Sequence, residues 1–383
     1  MVAGGGTAGH ALPAVAVGRA LVARGHDPAS IHFVGSSRGL EASLVPEAGF
    51  GITLLPGRGV PRRIAAQTVA ALAGLAVALV RGVAVVVRRR PAVVVSVGGY
   101  AALPAAAAAV LLRVPLVVAE QNAVPGAVNR LTARFARASA VSFEGTPLPR
   151  AVVTGNPIRP EVAAVDRSPD SRRRAREQLG LPQDRRVVLV AGGSLGSLRI
   201  NQAVRAAVRG LWAGRSDLAV RHVVGRRDWP MFSGLSGDRG GEGRAPSGGG
   251  LAYQAVEYEE RMALAYAAAD LAVCRAGGMV SELCAVGLPA VLVPLPGAPG
   301  DHQTANARAL AEAGGAVVVP DGELTAERLV AEVDGVLNTP GRLDAMAHGA
   351  RRLARPDAAD RLAELAERYA RRPDTTDTNG ESR

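Results

Sequence analysis

VVLVAGGSLGS, from Val187 to Ser197, is an apolar, β-branched run that ends in a glycine turn. A helix-like pattern follows it from Ile200 to Val204. A continuous apolar run is typical of a strand that is buried on both faces, and the helix after the turn makes that strand part of a parallel sheet. This region therefore predicts an α/β domain built on a parallel sheet.

The start of the chain carries a second unit of the same kind. Ala3–His10 reads AGGGTAGH, and a helix-like run continues from Ala14 to Leu21. Three further apolar runs predict buried strands, at residues 93–97, 116–119 and 290–293. Two strand–glycine loop–helix units, about 190 residues apart, predict two Rossmann-like domains with parallel sheets facing a cleft. The domain boundary is expected near Gly155–Pro160, where two prolines bracket a turn.

The composition narrows the class of function. The chain has 383 residues, which favours two or three domains. Aromatic residues make up only 3%, so a nucleic-acid binder that stacks bases on aromatic rings is not expected. All 45 basic residues are Arg, and the formal net charge of +11 favours anionic partners such as phosphates or an acidic membrane surface. The two cysteines, Cys274 and Cys284, are too few for a disulfide scaffold or a zinc ribbon.

One apolar run raises the question of a membrane span. Residues 64–87 are nearly all apolar, and Arg88–Arg90 follow them. A spanning helix needs about 20 apolar residues, but this run is interrupted by Gln67, Thr68, Gly74 and Arg81. It therefore predicts a buried or interfacial amphipathic helix, with a spanning helix as the alternative. Because no signal-peptide pattern begins the sequence, we expect a cytosolic protein.

Several other segments have simple interpretations. Residues 233–250 are rich in Gly and Ser and predict a flexible loop, whereas residues 358–369 have helical periodicity. The tail from Pro373 onward has no apolar residue and predicts disorder. Only three residues precede the first glycine loop, although the first strand of such a sheet is normally central. We therefore expect that translation begins a few codons upstream, with a genuinely short strand as the alternative.

The first glycine loop has the G-x-G-x-x-G spacing at Gly4, Gly6 and Gly9. Glycines at this spacing let an anion approach the backbone N–H groups of a helix N-terminus. A dinucleotide site also needs an acidic residue at the end of the second strand, but residues 31–34 are followed by Gly-Ser-Ser-Arg. An NAD enzyme is therefore disfavoured, and the absence of Lys excludes a Walker-type ATPase.

Two residues near glycine turns are candidates for chemistry. Glu282, in RAGGMVSEL at Arg275–Leu283, could accept two hydrogen bonds from a ribose diol; the alternative is a solvated first-turn acid that complements the helix dipole. His10 begins a helix and is a candidate general base, with a capping or packing role as the alternative. His302 is a weaker candidate.

Metal chemistry is not expected. There is no D-x-D and no cluster of His, Asp and Glu with metal-ligand spacing. Helix N-termini and an Arg would therefore have to stabilise a diphosphate.

Seven short motifs occur in order between Gly4 and Val319. They are the GGTAGH loop with Pro13–Ala14, Gly98–Tyr100, Glu120–Asn122 with Pro125–Gly126 and Asn129–Arg130, Gly155–Arg159, Gly192–Gly196 with Asn201, Arg275–Glu282, and Asp301–Gln303 with Asn306–Ala307. Their order and spacing resemble the MurG family of peptidoglycan-synthesis glycosyltransferases. The resemblance implies an α/β GT-B fold, with an acceptor domain at 1–157, a donor domain at 158–351, residues 352–371 packing back onto the first domain, and a disordered tail at 372–383.

The same resemblance implies an inverting, family 28-like hexosyltransferase. Such an enzyme moves GlcNAc from UDP-GlcNAc to the MurNAc 4-hydroxyl of undecaprenyl-pyrophosphoryl-MurNAc-pentapeptide (lipid I), which forms lipid II. It uses no cofactor, and other cell-wall synthesis proteins are conceivable partners. Two alternatives stay open: a GT-B enzyme with another lipid acceptor, such as diacylglycerol, and a degenerate protein that only binds a nucleotide sugar.

Peripheral attachment to the anionic cytoplasmic membrane surface follows from the apolar run and its arginines. The run is flanked by a basic set, namely Arg58, Arg62, Arg63, Arg81 and Arg88–Arg90. Apolar contact combined with several Arg residues is a two-signal anchor.

Matching the motifs residue by residue implies roles in the first domain. Five residues would lie near the transferred sugar: Thr7, Ala8, Gly9, His10 and Asn122. His10 is the first candidate for the base that deprotonates the acceptor hydroxyl. Glu120 is the second, and its alternative role is to orient the Asn122 loop.

The same matching implies roles in the second domain. Arg159 and Ser194 would contact the nucleotide and its diphosphate, and Gln303 would bind sugar hydroxyls. Uridine would be held by Gly278, Met279, Val280, Ser281 and Glu282, with Glu282 on the ribose.

Three positions depart from the family pattern, besides the short first strand. The family pattern of this turn is R-x-G-x-x-T-x-x-E. In this chain Val280 directly follows Met279, so the Thr that the pattern has between them is missing. This removes one hydroxyl or N–H contact to the nucleotide. The His before Glu-Gln-Asn is Ala119, and the second Gly of the T-G-G-H loop is Ala8.

Overall fold

A computed structural model of the chain describes residues 1–56, 66–193, 195–233 and 250–371. The chain divides into two units. Unit 1 consists of Met1–Pro157 and the segment that begins at Asp357, and unit 2 consists of Ile158–Pro356. The chain passes from unit 1 to unit 2 inside the Gly155–Pro160 turn and returns after Pro356.

Unit 1 is built on a seven-stranded sheet in the order β3-β2-β1-β4-β5-β6-β7, and every pair is parallel. Its strands are β1 (Val2–Ala3), β2 (His32–Ser36), β3 (Gly51–Leu55), β4 (Val94–Ser96), β5 (Leu116–Glu120), β6 (Ala138–Val141) and β7 (Ala151–Val153). β1 has only two residues, yet it lies inside the sheet and pairs with β2 on one side and with β4 on the other.

Within the described part of unit 1, the helices are α1 (Ala8–Ala23), α2 (Glu41–Glu47), α3 (Ala66–Arg89), α4 (Leu103–Leu111), α5 (Ala127–Thr132) and, from the returning segment, α15 (Ala358–Tyr369). The predicted helix at 358–369 is confirmed. Leu362 and Leu365 are buried in one cluster with Val15 and Val17 of α1. An exposed cluster reinforces this packing, because Arg24 and His26 both contact the Glu367 carboxylate.

The interrupted apolar run, from residue 66 onward, forms the helix α3. Among the residues that the structure describes, no helix is both long and apolar enough to cross one. Ala78, Val85 and Val86 of α3 are buried, whereas Val80 is 71% exposed. One face therefore packs on unit 1 and the other is open to its surroundings, as expected of an amphipathic helix.

Unit 2 is built on a six-stranded parallel sheet in the order β10-β9-β8-β11-β12-β13. Its strands are β8 (Arg186–Ala191), β9 (Leu218–Val223), β10 (Ala252–Val256), β11 (Leu271–Cys274), β12 (Ala290–Leu292) and β13 (Ala316–Val318). Its helices are α6 (Pro160–Ala163), α7 (Pro169–Gln178), α8 (Leu198–Arg209), α9 (Trp229–Phe232), α10 (Met262–Ala268), α11 (Met279–Val286), α12 (His302–Glu312), α13 (Ala326–Leu337) and α14 (Arg342–Arg352).

The predicted fold class is confirmed, since both units are α/β structures with wholly parallel sheets. The apolar runs read as strands are β4, β5, β8 and β12, each within two residues of the predicted bounds. β2 begins one residue later than expected and runs two residues further, to Ser36. Most of the predicted loop at 233–250 and the tail at 372–383 lie outside the described residues.

Candidate active site

The two glycine loops of unit 1 meet at one edge of its sheet. Gly4–Gly6 follow β1, and Gly98–Gly99 follow β4, the parallel neighbour of β1. A Cβ on Gly99 would lie 2.3 Å from the carbonyl oxygen of Gly5 and 3.6 Å from Cγ of His10. Gly99 also has a φ of +76°, which favours glycine. Only glycine at this position therefore lets the second loop lie against the first.

The buried carboxylate of Glu41 packs against the first glycine loop. Its oxygens accept from the backbone N–H of Gly6 and of Ser36, each at 2.7 Å. Glu41 is 1% exposed, and a Cβ on Gly5 would lie 2.0 Å from its carboxyl carbon. No cationic side chain of the described residues pairs with it. Sequence reasoning missed Glu41, because no motif links it to a loop 35 residues earlier in the chain.

His10 lies in the first turn of α1, half-buried beside Gly99. Thr7 is the N-cap of α1, but its hydroxyl does not cap the helix. Instead, its Oγ1 lies 3.1 Å from Nδ1 of His10. This contact fixes the ring orientation. Ala8 and Gly9 occupy the same first turn.

Glu120, at the end of β5, is 3% exposed, and both of its carboxylate oxygens accept hydrogen bonds. Its carboxylate accepts from the backbone N–H and the side-chain amide of Asn122, from the N–H of Gly126, and from Nδ2 of Asn129, at 2.9–3.1 Å. Four donors thus already occupy this carboxylate. The arrangement favours an orienting role for Glu120, holding the turn that carries Asn122.

In unit 2, the glycine loop after β8 opens onto the start of α8. Gly193 has a φ of +94°, and a Cβ there would have no atom within 4 Å. The hydroxyl of Ser197 accepts from the N–H of Ile200 and caps α8. Ser194, predicted to bind the diphosphate, lies outside the described residues. Its neighbours nevertheless form an open turn at a helix N-terminus, a geometry suited to an anion.

A buried polar chain holds this loop, and the sequence did not reveal it. Asn201 donates to the carbonyl of Val224 and to Asp228, each at 3.0 Å, and its amide oxygen accepts from Nε2 of His222 at 2.9 Å. The Tyr253 hydroxyl contacts Nδ1 of His222 at 2.8 Å. Burial lowers the pKa of His222 to about 3, so this imidazole is neutral.

Glu282 is buried and paired, not solvated. Its Oε1 accepts from Arg159 at 3.3 Å, and its Oε2 accepts from the Tyr266 hydroxyl at 2.6 Å. Glu282 is only 9% exposed, which excludes the solvated first-turn acid considered above. Burial and the Glu282 charge raise the pKa of Tyr266 well above its usual range, so Tyr266 remains a donor. Tyr266 was not predicted, because it lies 16 residues away in the chain.

At the start of α11, some backbone N–H groups donate hydrogen bonds to neighbouring carbonyls, and others donate none within the described residues. The N–H groups of Val280 and Ser281 donate to Gly277 and Gly278, and the Val280 side chain is 1% exposed. These two N–H groups are therefore already engaged within the protein. The N–H groups of Gly278 and Met279 make no hydrogen bond within the described residues. They therefore remain available to a ligand at the helix N-terminus.

Gln303 lies beside the same turn. Its Oε1 accepts from the N–H of Leu295 at 3.0 Å, and a Cβ on Gly277 would lie 3.8 Å from its Nε2. Asn306 donates to the carbonyl of Ala276 at 3.0 Å and anchors the turn. Unit 2 thus brings together Arg159, Glu282 and the α11 N-terminus, with Gln303 beside Gly277. The structure describes no group of three His, Cys, Asp or Glu able to hold a metal within its ranges.

Comparison with known proteins gives matches along most of the chain. Residues 1–141 match the glycosyltransferase family 28 N-terminal domain, and residues 187–362 match the glycosyltransferase family 28 C-terminal domain. The crystal structure of Acinetobacter baumannii MurG has a TM-score of 0.72 with this chain at 31% identity, covering 96% of this chain and 98% of that one.

Curated relatives align with this chain over nearly its whole length. A protein of Nocardioides sp. is 44% identical over 366 residues, covering 95% of this chain and 96% of its own length. A protein of Acidothermus cellulolyticus is 41% identical over 371 residues, covering 97% of both. Each is named UDP-N-acetylglucosamine–N-acetylmuramyl-(pentapeptide) pyrophosphoryl-undecaprenol N-acetylglucosamine transferase.

Proposed function

Since the chain belongs to the MurG family of family 28 glycosyltransferases and has their GT-B fold, we propose that it transfers GlcNAc from UDP-GlcNAc to lipid I, forming lipid II. The geometric observation that carries this function is the buried Arg159–Glu282 pair at the start of α11. It sets a carboxylate beside two unused backbone donors. A nucleotide offers the matching groups, namely a ribose diol and an anionic diphosphate.

Unit 2 holds the donor. Each oxygen of Glu282 has one protein partner, and a carboxylate has about four acceptor sites. The remaining acceptor sites receive hydrogen bonds from the ribose hydroxyls. The α8 N-terminus and Arg159 stabilise the charge that develops on the departing diphosphate. Gln303 binds sugar hydroxyls.

Unit 1 holds the acceptor and the base. His10 removes the proton from the 4-hydroxyl as that oxygen attacks the anomeric carbon and the UDP oxygen leaves, so the configuration inverts. The Thr7 contact to Nδ1 directs the opposite ring nitrogen, Nε2, to the acceptor. Four hydrogen bonds let Glu120 orient the turn that carries Asn122. Asn122 contacts the transferred sugar.

Helix α3 attaches unit 1 to the cytoplasmic face of the membrane. Val77, Val80 and Val87 are 47%, 71% and 53% exposed, and their spacing puts them on one side of the helix. Arg81 and Arg88 are exposed on the same helix. Arg58, Arg62 and Arg63, part of the same expectation, lie outside the described residues. An apolar stripe with adjacent Arg suits an anionic lipid surface.

Turnover with defined donors and acceptors tests the function. Purified protein is incubated with UDP-GlcNAc and a lipid I analogue, and UDP release and product mass are measured. We expect one GlcNAc added per lipid I and little turnover with UDP-glucose. Transfer to diacylglycerol in place of lipid I would identify another lipid acceptor. Donor binding by calorimetry without any turnover would instead identify a binding protein.

A further inference from the structure

Unit 2 has a polar cavity at the edge of its sheet opposite the candidate nucleotide site. The cavity has a volume of about 280 Å³ and is lined by Arg167, Arg172, Arg186, Asp270, Gly287, Pro289 and, from α14, Leu343, Asp344, Ala347, His348 and Arg351. Arg186 begins β8, and Asp270 immediately precedes β11. The cavity therefore lies at the amino ends of the parallel strands, whereas the Gly193 loop and α11 follow their carboxyl ends.

Positive charge exceeds negative charge in this cavity. Asp270 is 4% exposed and already shared: Oδ1 pairs with Arg172, and Oδ2 accepts from Arg176 at 2.8 Å and from the N–H of Val187 at 2.7 Å. It has little capacity left for other cations. The side-chain carboxylate of Asp344, the remaining lining acid, makes no hydrogen bond or ion pair within the described residues; its carbonyl oxygen contacts Nδ1 of His348 at 3.0 Å.

Three lining arginines therefore have no carboxylate partner. Arg167 donates to the carbonyls of Gly287 and Ala269 at 2.8 and 2.7 Å, and its Nε is buried without a hydrogen-bond partner. The guanidinium groups of Arg186 and Arg351 make no hydrogen bond within the part of the chain that the structure describes. Arg351 lies over Gly287, where a Cβ would be 2.5 Å from its Nε.

These charges act on one another. Burial and the charges of Arg172, Arg351 and Arg176 lower the pKa of Arg167 to about 10, although Asp270 opposes them. Like charges gathered in a concave site cost free energy, and a multiply charged anion relieves that cost. Guanidinium groups match the geometry of oxyanions, because each presents paired N–H donors.

From this geometry we propose that the cavity lined by Arg167, Arg186 and Arg351 binds a small dissolved oxyanion of the phosphate class. The cavity volume of about 280 Å³ accommodates phosphate or pyrophosphate and lies just below the range of about 300–1,000 Å³ that is typical of pockets for drug-sized ligands. Arg186 and Arg351 close on the anion from the rim, and Arg167 meets it from the buried side. This proposal does not depend on the proposed function.

Calorimetric titration of the full chain with inorganic phosphate and pyrophosphate tests the site. Saturating UDP occupies the donor site throughout, and sodium chloride of equal ionic strength serves as the blank. We expect one saturable site. R186Q/R351Q should bind about tenfold to a hundredfold more weakly, since each removes a charge-assisted contact without stripping a partner from another residue.

Two further variants keep the result interpretable. R209Q/R308Q removes the same charge from exposed arginines elsewhere in unit 2 and should bind as wild type does. D344N removes the unpaired rim carboxylate and should bind more tightly. The proposal is overturned if phosphate gives no more heat than chloride, if R186Q/R351Q binds normally, or if both double variants weaken binding equally. UDP binding, measured in the same samples, reports separately on the proposed function.

Discussion

The backbone N–H of Gly6 donates to the carboxylate of Glu41 at 2.7 Å, although Glu41 is almost wholly buried and pairs with no cationic side chain of the described residues. The first glycine loop thus packs on a buried carboxylate that accepts from the backbone N–H groups of Gly6 and Ser36. The same loop leads into the helix turn that carries His10. Glu41 therefore positions the loop that leads to His10.

Glu41→Gln should lower kcat with lipid I about tenfold and leave UDP binding unchanged. One oxygen becomes an NH₂ group that faces a backbone N–H, so a buried donor loses its acceptor, at a cost of about 1–3 kcal/mol. Steady-state kinetics and calorimetry with UDP measure the two effects. Glu47→Gln, an exposed site on the same helix, is the matched control. Equal kinetics for both variants would contradict the positioning role.

Glu282→Gln should weaken UDP-GlcNAc binding about tenfold to a hundredfold, because charge-assisted contacts are worth about 1.5–3 kcal/mol. Calorimetry measures the dissociation constant directly. Tyr266→Phe keeps the carboxylate and should have a smaller effect. Glu312→Gln, exposed on α12, controls for the charge change. If Glu282→Gln bound UDP-GlcNAc as tightly as the wild type does, the ion pair of Glu282 with Arg159 would have only a structural role.

His10→Ala should lower kcat by about 10²–10⁴ while UDP affinity changes little, as expected for the loss of a general base. Thr7→Val retains the imidazole but removes its 3.1 Å contact, so an intermediate loss is expected. The pH–rate profile is the decisive measurement. If the acidic limb persists unchanged in His10→Ala, another group is the base.

Val80→Asp should weaken binding to phosphatidylglycerol vesicles about tenfold or more, because it puts a charge into the exposed stripe of α3. Arg81→Gln/Arg88→Gln should weaken it through lost attraction of about 1 kcal/mol per Arg. Vesicle sedimentation at low and high salt measures both. Val152→Asp, at another exposed apolar position of unit 1, should bind normally. If the wild-type protein bound neutral phosphatidylcholine vesicles as strongly as phosphatidylglycerol vesicles, the proposed role of α3 in binding an anionic membrane would be contradicted.

Unit 2 should lose stability as the pH falls from about 7 toward 4. The folded-state pKa of His222 is about 3 and its unfolded value is 6.5, so below pH 6.5 the unfolded chain binds a proton that the folded chain does not. The free energy of unfolding then falls by about 1.4 kcal/mol per pH unit, until the pH reaches the folded pKa. Urea unfolding at pH 7 and 5 should differ by about 2 kcal/mol from this group.

Both tryptophans, Trp212 and Trp229, lie in unit 2, so their fluorescence reports on this unit. His222→Gln should flatten the pH dependence, although it lowers stability at pH 7. An unchanged slope would assign the acid sensitivity to other groups.

Sequence patterns predicted the parallel sheets well, because buried strands such as β5 and β8 are uniformly apolar and end in glycine or polar turns. They also located the turns around His10 and Glu282. They could not predict Glu41, Tyr266 or the His222–Asn201 contact, since each depends on residues far apart in the chain meeting in a packed core. The distinction between a solvated and a buried Glu282 likewise required the tertiary structure.

Helix α15 completes the core of unit 1, although all of unit 2 intervenes in the chain. During synthesis on a ribosome, the His10 turn emerges first, but the buried cluster that contains α1 is incomplete until Leu362 and Leu365 have been made. Unit 2 can therefore finish folding while unit 1 still waits. Unit 1, whose first strand is translated first, is therefore completed last.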